Sequence, residues 1–189
     1  MQENQLDFIR IYPMNSEILL GIAQTVPDEL WGSAFVIGGV LNREVRRCGV
    51  FDVSARCQSS PDLKLIDSML FSVFTSTLKQ YVRDLGDLGK FVSEAGVSED
   101  EGYSFLRYLP GEFYTLHTDN STRKLPRTLS GIFVLNDNYG GGELCFPVQE
   151  LTLKPKAGTV ILFPSSFTHP HQVKAVMSGV RYSVVTWFR

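Results

Sequence analysis

The pattern of apolar and polar positions changes character about halfway along the chain. In MNSEILLGIAQTV, apolar Ile18, Leu19, Ile22, Ala23 and Val26 recur at helical steps, and Pro27 closes the stripe. A longer helix is predicted for SSPDLKLIDSMLFSVFTSTLKQYVRDLGDLG, with Leu63, Ile66, Leu70, Phe74, Leu78, Tyr81 and Leu85 on one core-facing side. Ser60 suits its cap, Pro61 its first turn and Gly86 its stop. Between the two helices, REVRRCGVFDVSARC has an extended pattern. Its REVRR cluster, the densest basic run, reads as a solvated strand edge or loop.

From about residue 102 the period shortens to two, and strand follows strand: YSFLRYL, FYTLHTD, RTLSGIFVLN, ELCFPV, ELTLKP, GTVILFP, HQVKAV and VRYSVVTWF. Turn formers separate them, among them Pro110-Gly111, the NYGGG run at 138–142 and Ser178-Gly179. The three glycines lack a following Lys-Ser/Thr and lead into a strand, so they read as a tight turn rather than a phosphate cradle. These strands approach the count of a jelly roll, about eight. The expected fold is therefore α+β: a double-stranded β-helix (jelly roll) core of about eight strands, with the N-terminal helices packed on one sheet. No linker or repeat divides the chain, which reads as a single domain over 1–189. Residues 1–100 form a helical and extended support region, and 101–189 the core.

Composition narrows the classes. The chain has 189 residues, 43% hydrophobic and 20% charged, as ordinary globular proteins do. A net charge of −2 argues against nucleic-acid binding by phosphate neutralisation. There is no basic N-terminal region followed by an apolar run, and no stretch reaches the roughly 18 apolar residues of a membrane span. No membrane association is expected, and a cytoplasmic location is. Cys48, Cys57 and Cys145 lack close metal-type spacing and read as reduced thiols.

The chain has only three histidines. In YTLHTDN, strand geometry would put His117 and Asp119 on one face with Thr118 opposite. In FTHPHQV, His169 and His171 flank Pro170. A further histidine from another strand would complete two imidazoles and a carboxylate, a set that leaves three positions open on octahedral Fe(II). A hydrolytic zinc site uses the same residue types. Arg181 weighs between them: an inward arginine holds the distal carboxylate of a dicarboxylate co-substrate, for which a zinc hydrolase has no evident use. A hairpin at Ser178-Gly179 is expected to return the final strand beside the histidine. A salt bridge at the barrel rim is the plainer alternative.

Together, YLPGEFYTLHTDNS, RTLSGIFVLND, GGGELCFP and LKPKAGTVILFPSSFTHPHQVKAVMSGVRYSVVTWF, roughly residues 102–188, resemble the iron- and 2-oxoglutarate-dependent dioxygenases of the prolyl 4-hydroxylase type. That family's pattern around its distal ligand is His-x-Val-x-x-Val-x-x-Gly-x-Arg. Starting at His171 it meets Val173, Val176, Gly179 and Arg181; starting at His169 the same offsets land on His171, Lys174, Met177 and Gly179. The resemblance therefore implies Fe(2+) on His117, Asp119 and His171, with 2-oxoglutarate held by Arg181 and Tyr108. It further implies O2 as co-substrate, ascorbate as reductant, and 101–189 as the catalytic core. By position it assigns Tyr114, Arg127 and Trp187 to the active site, Arg127 placing a peptidyl substrate and Trp187 lying near the substrate end. Core packing is the plainer reading of Tyr114 and Trp187.

His169 is expected to be structural or solvent-facing. Lysine often stands in the collagen-type enzymes where this chain has Arg181, and the oxygen-sensing branch has a tyrosine where this chain has Val134. Intact Asp119 sets the chain apart from halogenating relatives. The implied reaction hydroxylates an unactivated C–H while 2-oxoglutarate and O2 become succinate and CO2. A prolyl residue in a peptide or protein is the first-choice substrate, and a free amino acid or another side chain the alternative. A metal- or ligand-binding jelly roll without turnover is the alternative from another class. Loops at 32–60 and 118–127 are expected to choose the substrate.

Overall fold

The computed structural model describes residues 8–35, 40–94, 97, 99–120 and 126–189. The parts of the expected substrate loops at 36–39 and 121–125 lie outside the described residues. The N-terminal half contributes strands β1 (Arg10–Pro13), β2 (Gly32–Ser33), β3 (Arg46–Arg47) and β4 (Gly49–Asp52). Its helices are α1 (Glu17–Thr25), α2 (Val53–Arg56), α3 (Pro61–Asp84) and α4 (Gly89–Glu94). The C-terminal half then runs β5 (Ser104–Tyr108), β6 (Phe113–His117), β7 (Leu129–Val134), β8 (Gly140–Gly141) and β9 (Leu144–Phe146). It continues through β10 (Leu151–Leu153), β11 (Thr159–Pro164), β12 (His171–Val173), β13 (Val176–Ser178) and β14 (Arg181–Phe188).

The strands form a larger sheet, β1-β11-β7-β14-β5-β4-β2, and a smaller one, β10-β9-β12-β6-β3, with β8 and β13 paired separately. All eight sequence-predicted strands form, trimmed at their ends, and HQVKAV divides between β12 and β13. The α+β jelly roll with helices on one sheet is the architecture observed. β1, β2 and β4 extend the larger sheet, so the two halves of the chain share it.

The period of two sorts the larger sheet's side chains into two layers. Phe105, Phe133, Val160, Leu162 and Val184 join Ile66, Leu70, Phe74 and Tyr81 of α3 in a core on the outer face. Their neighbours Leu106, Ile132, Val134, Ile161, Phe163 and Val185 pack inward with Leu144, Phe146 and Val173 of the smaller sheet. Helix α3 starts as the sequence predicts: Leu63 N donates to Ser60 Oγ at 3.5 Å, Pro61 opens the first turn, and Gly86 turns away at φ +57°. It approaches β7 closely because Gly131 has no side chain; a Cβ there would lie 2.8 Å from the Phe74 ring.

Two expectations change. REVRRCGVFDVSARC opens with a turn at 43–45 and is extended only from Arg46 to Asp52, whose carboxylate accepts from Ala55 N at 2.9 Å and starts α2. This cap overrides the extended pattern beyond it. Nor does Ser178-Gly179 fold β14 back beside His171. β14 pairs with β5 and β7 in the larger sheet, whereas β12 pairs with β6 and β9 in the smaller. Arg181 and His171 therefore belong to facing layers.

Candidate functional site

β6 and β12 are antiparallel neighbours with His117 and His171 in register. Their rings lie 4.2 Å apart between centroids. Asp119, just past the end of β6, turns in between them: Oδ1 is 3.5 Å from His117 Nε2 and Oδ2 is 3.5 Å from His171 Nε2. One donor atom from each residue lies within 4.8 Å of the others, the one such cluster of His, Cys, Asp and Glu among the described residues.

Hydrogen bonds aim each donor. Nδ1–H of His117 donates to the Thr115 carbonyl at 2.8 Å, and Nδ1–H of His171 to the His169 carbonyl at 3.1 Å. A carbonyl only accepts, so both Nε2 atoms keep their lone pairs for the centre. Ser130 Oγ–H donates to Asp119 Oδ2 at 2.6 Å and lies 2.8 Å from Ser165 Oγ, whose proton it can accept. Burial opposes charge on Asp119, but His171, His117 and the Ser130 hydroxyl outweigh it and hold the carboxyl below its usual range. Burial, reinforced by His117 and opposed by Asp119, pushes His171 down to about 4. At neutral pH the centre thus offers the Asp119 carboxylate and the neutral imidazole of His171, the states in which these groups ligate a metal.

The facing wall comes from the larger sheet. Along β14, Arg181, Ser183, Val185 and Trp187 alternate inward and line the cavity with the triad. Arg181 is only 1% exposed. Its Nη1 donates to Ser183 Oγ at 3.1 Å, and its carbon centre lies 5.2 Å from the Tyr108 ring centroid. No carboxylate of the described residues pairs with it, and its Nε is buried without a hydrogen-bond partner among them. Gly142 makes room for this side chain: at φ +66°, a Cβ would lie 3.2 Å from Arg181 Cδ and 2.9 Å from the Tyr139 ring.

Comparison with known proteins finds similarity over the same region. Residues 103–189 match the family model described as the 2OG-Fe(II) oxygenase superfamily. Over these residues the chain is similar to that superfamily. A PKHD-type hydroxylase of Shewanella baltica is 38% identical over 94 residues, 45% of this chain and 41% of that protein. Prolyl 3-hydroxylase 2 of Mus musculus is 39% identical over 67 residues, 33% of this chain and 10% of the relative. The chain therefore matches less than half the length of either. Two solved structures share the fold. A prolyl hydroxylase from Trichoplax adhaerens, in complex with a hypoxia inducible factor peptide fragment, aligns with TM-score 0.70 at 18% identity, over 97% of this chain and 84% of that one. A Pseudomonas putida prolyl-4-hydroxylase aligns with TM-score 0.66 at 22% identity, over 97% and 94%.

The remaining sequence-predicted residues take distinct places in the core. Tyr108, fully buried on β5, is in register with Arg181. Tyr114 stacks on His117, with centroids 3.4 Å apart and planes 15° from parallel. Trp187 reaches the cavity, and Arg127 lies over its indole at 3.7 Å. The Arg127 guanidinium also binds Glu101 Oε2 at 2.7 Å and reaches the Asp119 carbonyl at 3.5 Å, so it is committed to neighbours of the site. Val134 packs inward and offers no hydroxyl. His169 is buried, its Nδ1 2.9 Å from Thr168 Oγ1. It is not solvent-facing, and its carbonyl orients His171.

Sequence reasoning missed three residues. Ser130 stands in the otherwise apolar, wholly buried strand LSGIFV, an anomaly that pointed to a bonded role. Ser165 follows β11 and carries no such signal. Arg46 belongs to the basic run read as solvated, yet it lines the cavity and lies 4.5 Å over the Tyr114 ring. Its only hint was strand parity with Cys48, which is buried.

Proposed function

We propose that this chain is an Fe(II)- and 2-oxoglutarate-dependent hydroxylase, acting first on a prolyl residue of a peptide or protein. Arg181 carries the reading. A buried guanidinium with no carboxylate partner is costly, by several kcal/mol per ion in real proteins, so the position calls for an anion supplied from outside the chain. His117, Asp119 and His171 would hold a metal, and Arg181, lining the same cavity, would hold the far carboxylate of a dicarboxylate co-substrate.

The donor set fits Fe(II), since two imidazoles and a carboxylate on one side leave the other side for ligands. Bound there, Fe(II), 2-oxoglutarate and O2 supply the oxidising power that converts C–H to C–OH, with succinate and CO2 as the other products. The chain's own groups orient and shield. Thr115 and His169 carbonyls fix the imidazoles, Ser130 fixes the carboxylate, and Tyr114 lies flat against His117. Arg181 and Tyr108 hold the far carboxylate in a dry layer between the sheets, where charge-assisted hydrogen bonds are strongest. Trp187, with Arg127 stacked above it, forms the wall nearest the substrate. Ascorbate as reductant accompanies this reading. The peptide substrate is favoured by the relatives named above, and a free amino acid is its alternative.

The test is succinate formation from 2-oxoglutarate with Fe(II), alongside Co(II) titration of the same variants. His171→Ala is expected to abolish both turnover and metal binding, and His169→Ala to retain metal binding because a carbonyl at 169 persists. The opposite pattern would sink the ligand assignment.

A further inference from the structure

Two arginines face the space between the sheets, and the proposed reaction uses only one. Arg46 enters from β3, in register with Tyr114. Because His117 covers one face of the Tyr114 ring, the guanidinium of Arg46 takes the other. Its Nη1 donates to the Phe35 carbonyl at 3.1 Å, while its Nε is buried without a hydrogen-bond partner among the described residues. No described carboxylate forms an ion pair with it. The two acids nearest in the adjoining clefts are engaged elsewhere: Asp52 caps α2, and Glu112 Oε2 accepts from Leu109 N at 2.8 Å.

Location separates Arg46 from Arg181. Arg181 is sealed at the floor of the cavity. Arg46 lines the cavity and also a cleft that opens beside it, which shares Leu106, Val185 and Trp187 with the cavity and adds Arg56. A second cleft, which shares Ser33, Ala34 and Arg46 with the first, adds Arg43 and Arg47. The chain as a whole is slightly acidic, yet the two clefts around Arg46 are lined by four arginines against two acids, Asp52 and Glu112, a local excess of positive charge that favours anions there. Tyr114 holds the guanidinium plane, so little freedom is lost when a carboxylate docks on it.

We propose that Arg46 anchors a carboxylate of the substrate, so that the enzyme selects molecules bearing an acidic group beside the carbon it oxidises. This rests on the hydroxylase reading and adds the substrate class to it. Either an Asp or Glu side chain near the target proline or the α-carboxylate of a free amino acid supplies the same chemistry.

Binding is measured on the protein loaded with Mn(II) and 2-oxoglutarate, which permits association without turnover. In one arm a single Asp is stepped along both sides of one proline in a short peptide, each peptide matched with its Asn counterpart. In the other, L-proline is compared with L-prolinamide. One acidic member is expected to bind about tenfold more tightly than its neutral match, as a charge-assisted pair does. Arg46→Gln should erase that ratio, and Arg46→Glu should transfer the preference to a Lys-bearing peptide, a reversal that a merely structural role does not produce. The arm that discriminates identifies the source of the carboxylate. Equal binding of acidic and neutral partners by the wild type in both arms overturns the proposal and needs no variant to fold. So does loss of the ratio in Arg43→Gln to the same extent as in Arg46→Gln, which would mean diffuse surface charge. Substrate-free succinate formation on the same preparation separates the two levels: succinate without acid preference overturns the role of Arg46 alone, and absence of succinate counts against the hydroxylase reading.

Discussion

Removing the Ser130 hydroxyl tests how the carboxylate of the triad is held. In the native arrangement Ser130 Oγ–H donates to Asp119 Oδ2 at 2.6 Å, and Ser165 lies 2.8 Å behind it. All three side chains are buried, so no solvent replaces what Ser130→Ala takes away. A hydrogen bond to a charged group contributes about 1.5–3 kcal/mol, and the orphaned Ser165 hydroxyl adds about 1 kcal/mol more, giving a loss of about 2–4 kcal/mol in the metal-free protein. A urea denaturation series reads that loss directly. Because the carboxylate is also freed to rotate and to protonate, Co(II) affinity should fall 10- to 100-fold, the range for groups that orient metal ligands. Ser165→Ala leaves the bond to Asp119 intact and should cost about 1 kcal/mol with little change in Co(II) affinity. If Ser130→Ala binds Co(II) as the wild type does, or if the two variants behave alike, the relay from Ser165 through Ser130 to Asp119 is not what positions the ligand.

Other outcomes follow from the same geometry. Arg181→Gln should weaken 2-oxoglutarate binding by about 2–5 kcal/mol, yet leave the co-substrate-free protein as stable or more stable, because it removes an unpaired buried charge; isothermal titration and urea melts read the two signs separately. Gly142→Ala combines a left-handed backbone with contacts to Tyr139 and Arg181, so about 2–4 kcal/mol of stability and part of the 2-oxoglutarate affinity should be lost together in those assays. For His171 the folded pKa, about 4, lies below the unfolded value of 6.5. The unfolded chain therefore takes up its proton first, and the metal-free protein should lose about 3 kcal/mol between pH 6.5 and pH 4. Urea midpoints across that window should flatten in His171→Gln.

The faces of strands were legible in the sequence and their partners were not. Period-two reading of VRYSVVTWF puts Arg181, Ser183, Val185 and Trp187 on one side, and all four line the cavity. It says nothing of which sheet receives that strand, because pairing is decided by contacts far apart in sequence. That is why the expected hairpin beside His171 gave way to a crossing between layers. The triad was legible through spacing combined with family likeness. Ser165 and Arg46 were not, since a serine or arginine in a short strand carries no local mark of where its side chain ends. A cap likewise escaped notice at Asp52, where one side chain's hydrogen bond outweighed the pattern around it.

The placement of Arg181 and the His117–Asp119–His171 cluster in opposite layers has a consequence for how such a fold can evolve. Packed sheets keep a separation of about 10 Å whatever their loops do. On the reading proposed above, the gap between the two anchors is a gauge cut into the scaffold, and it measures the length of the diacid that would bridge it. Loops at the opening could then be exchanged to admit new targets without changing the span available to the proposed co-substrate.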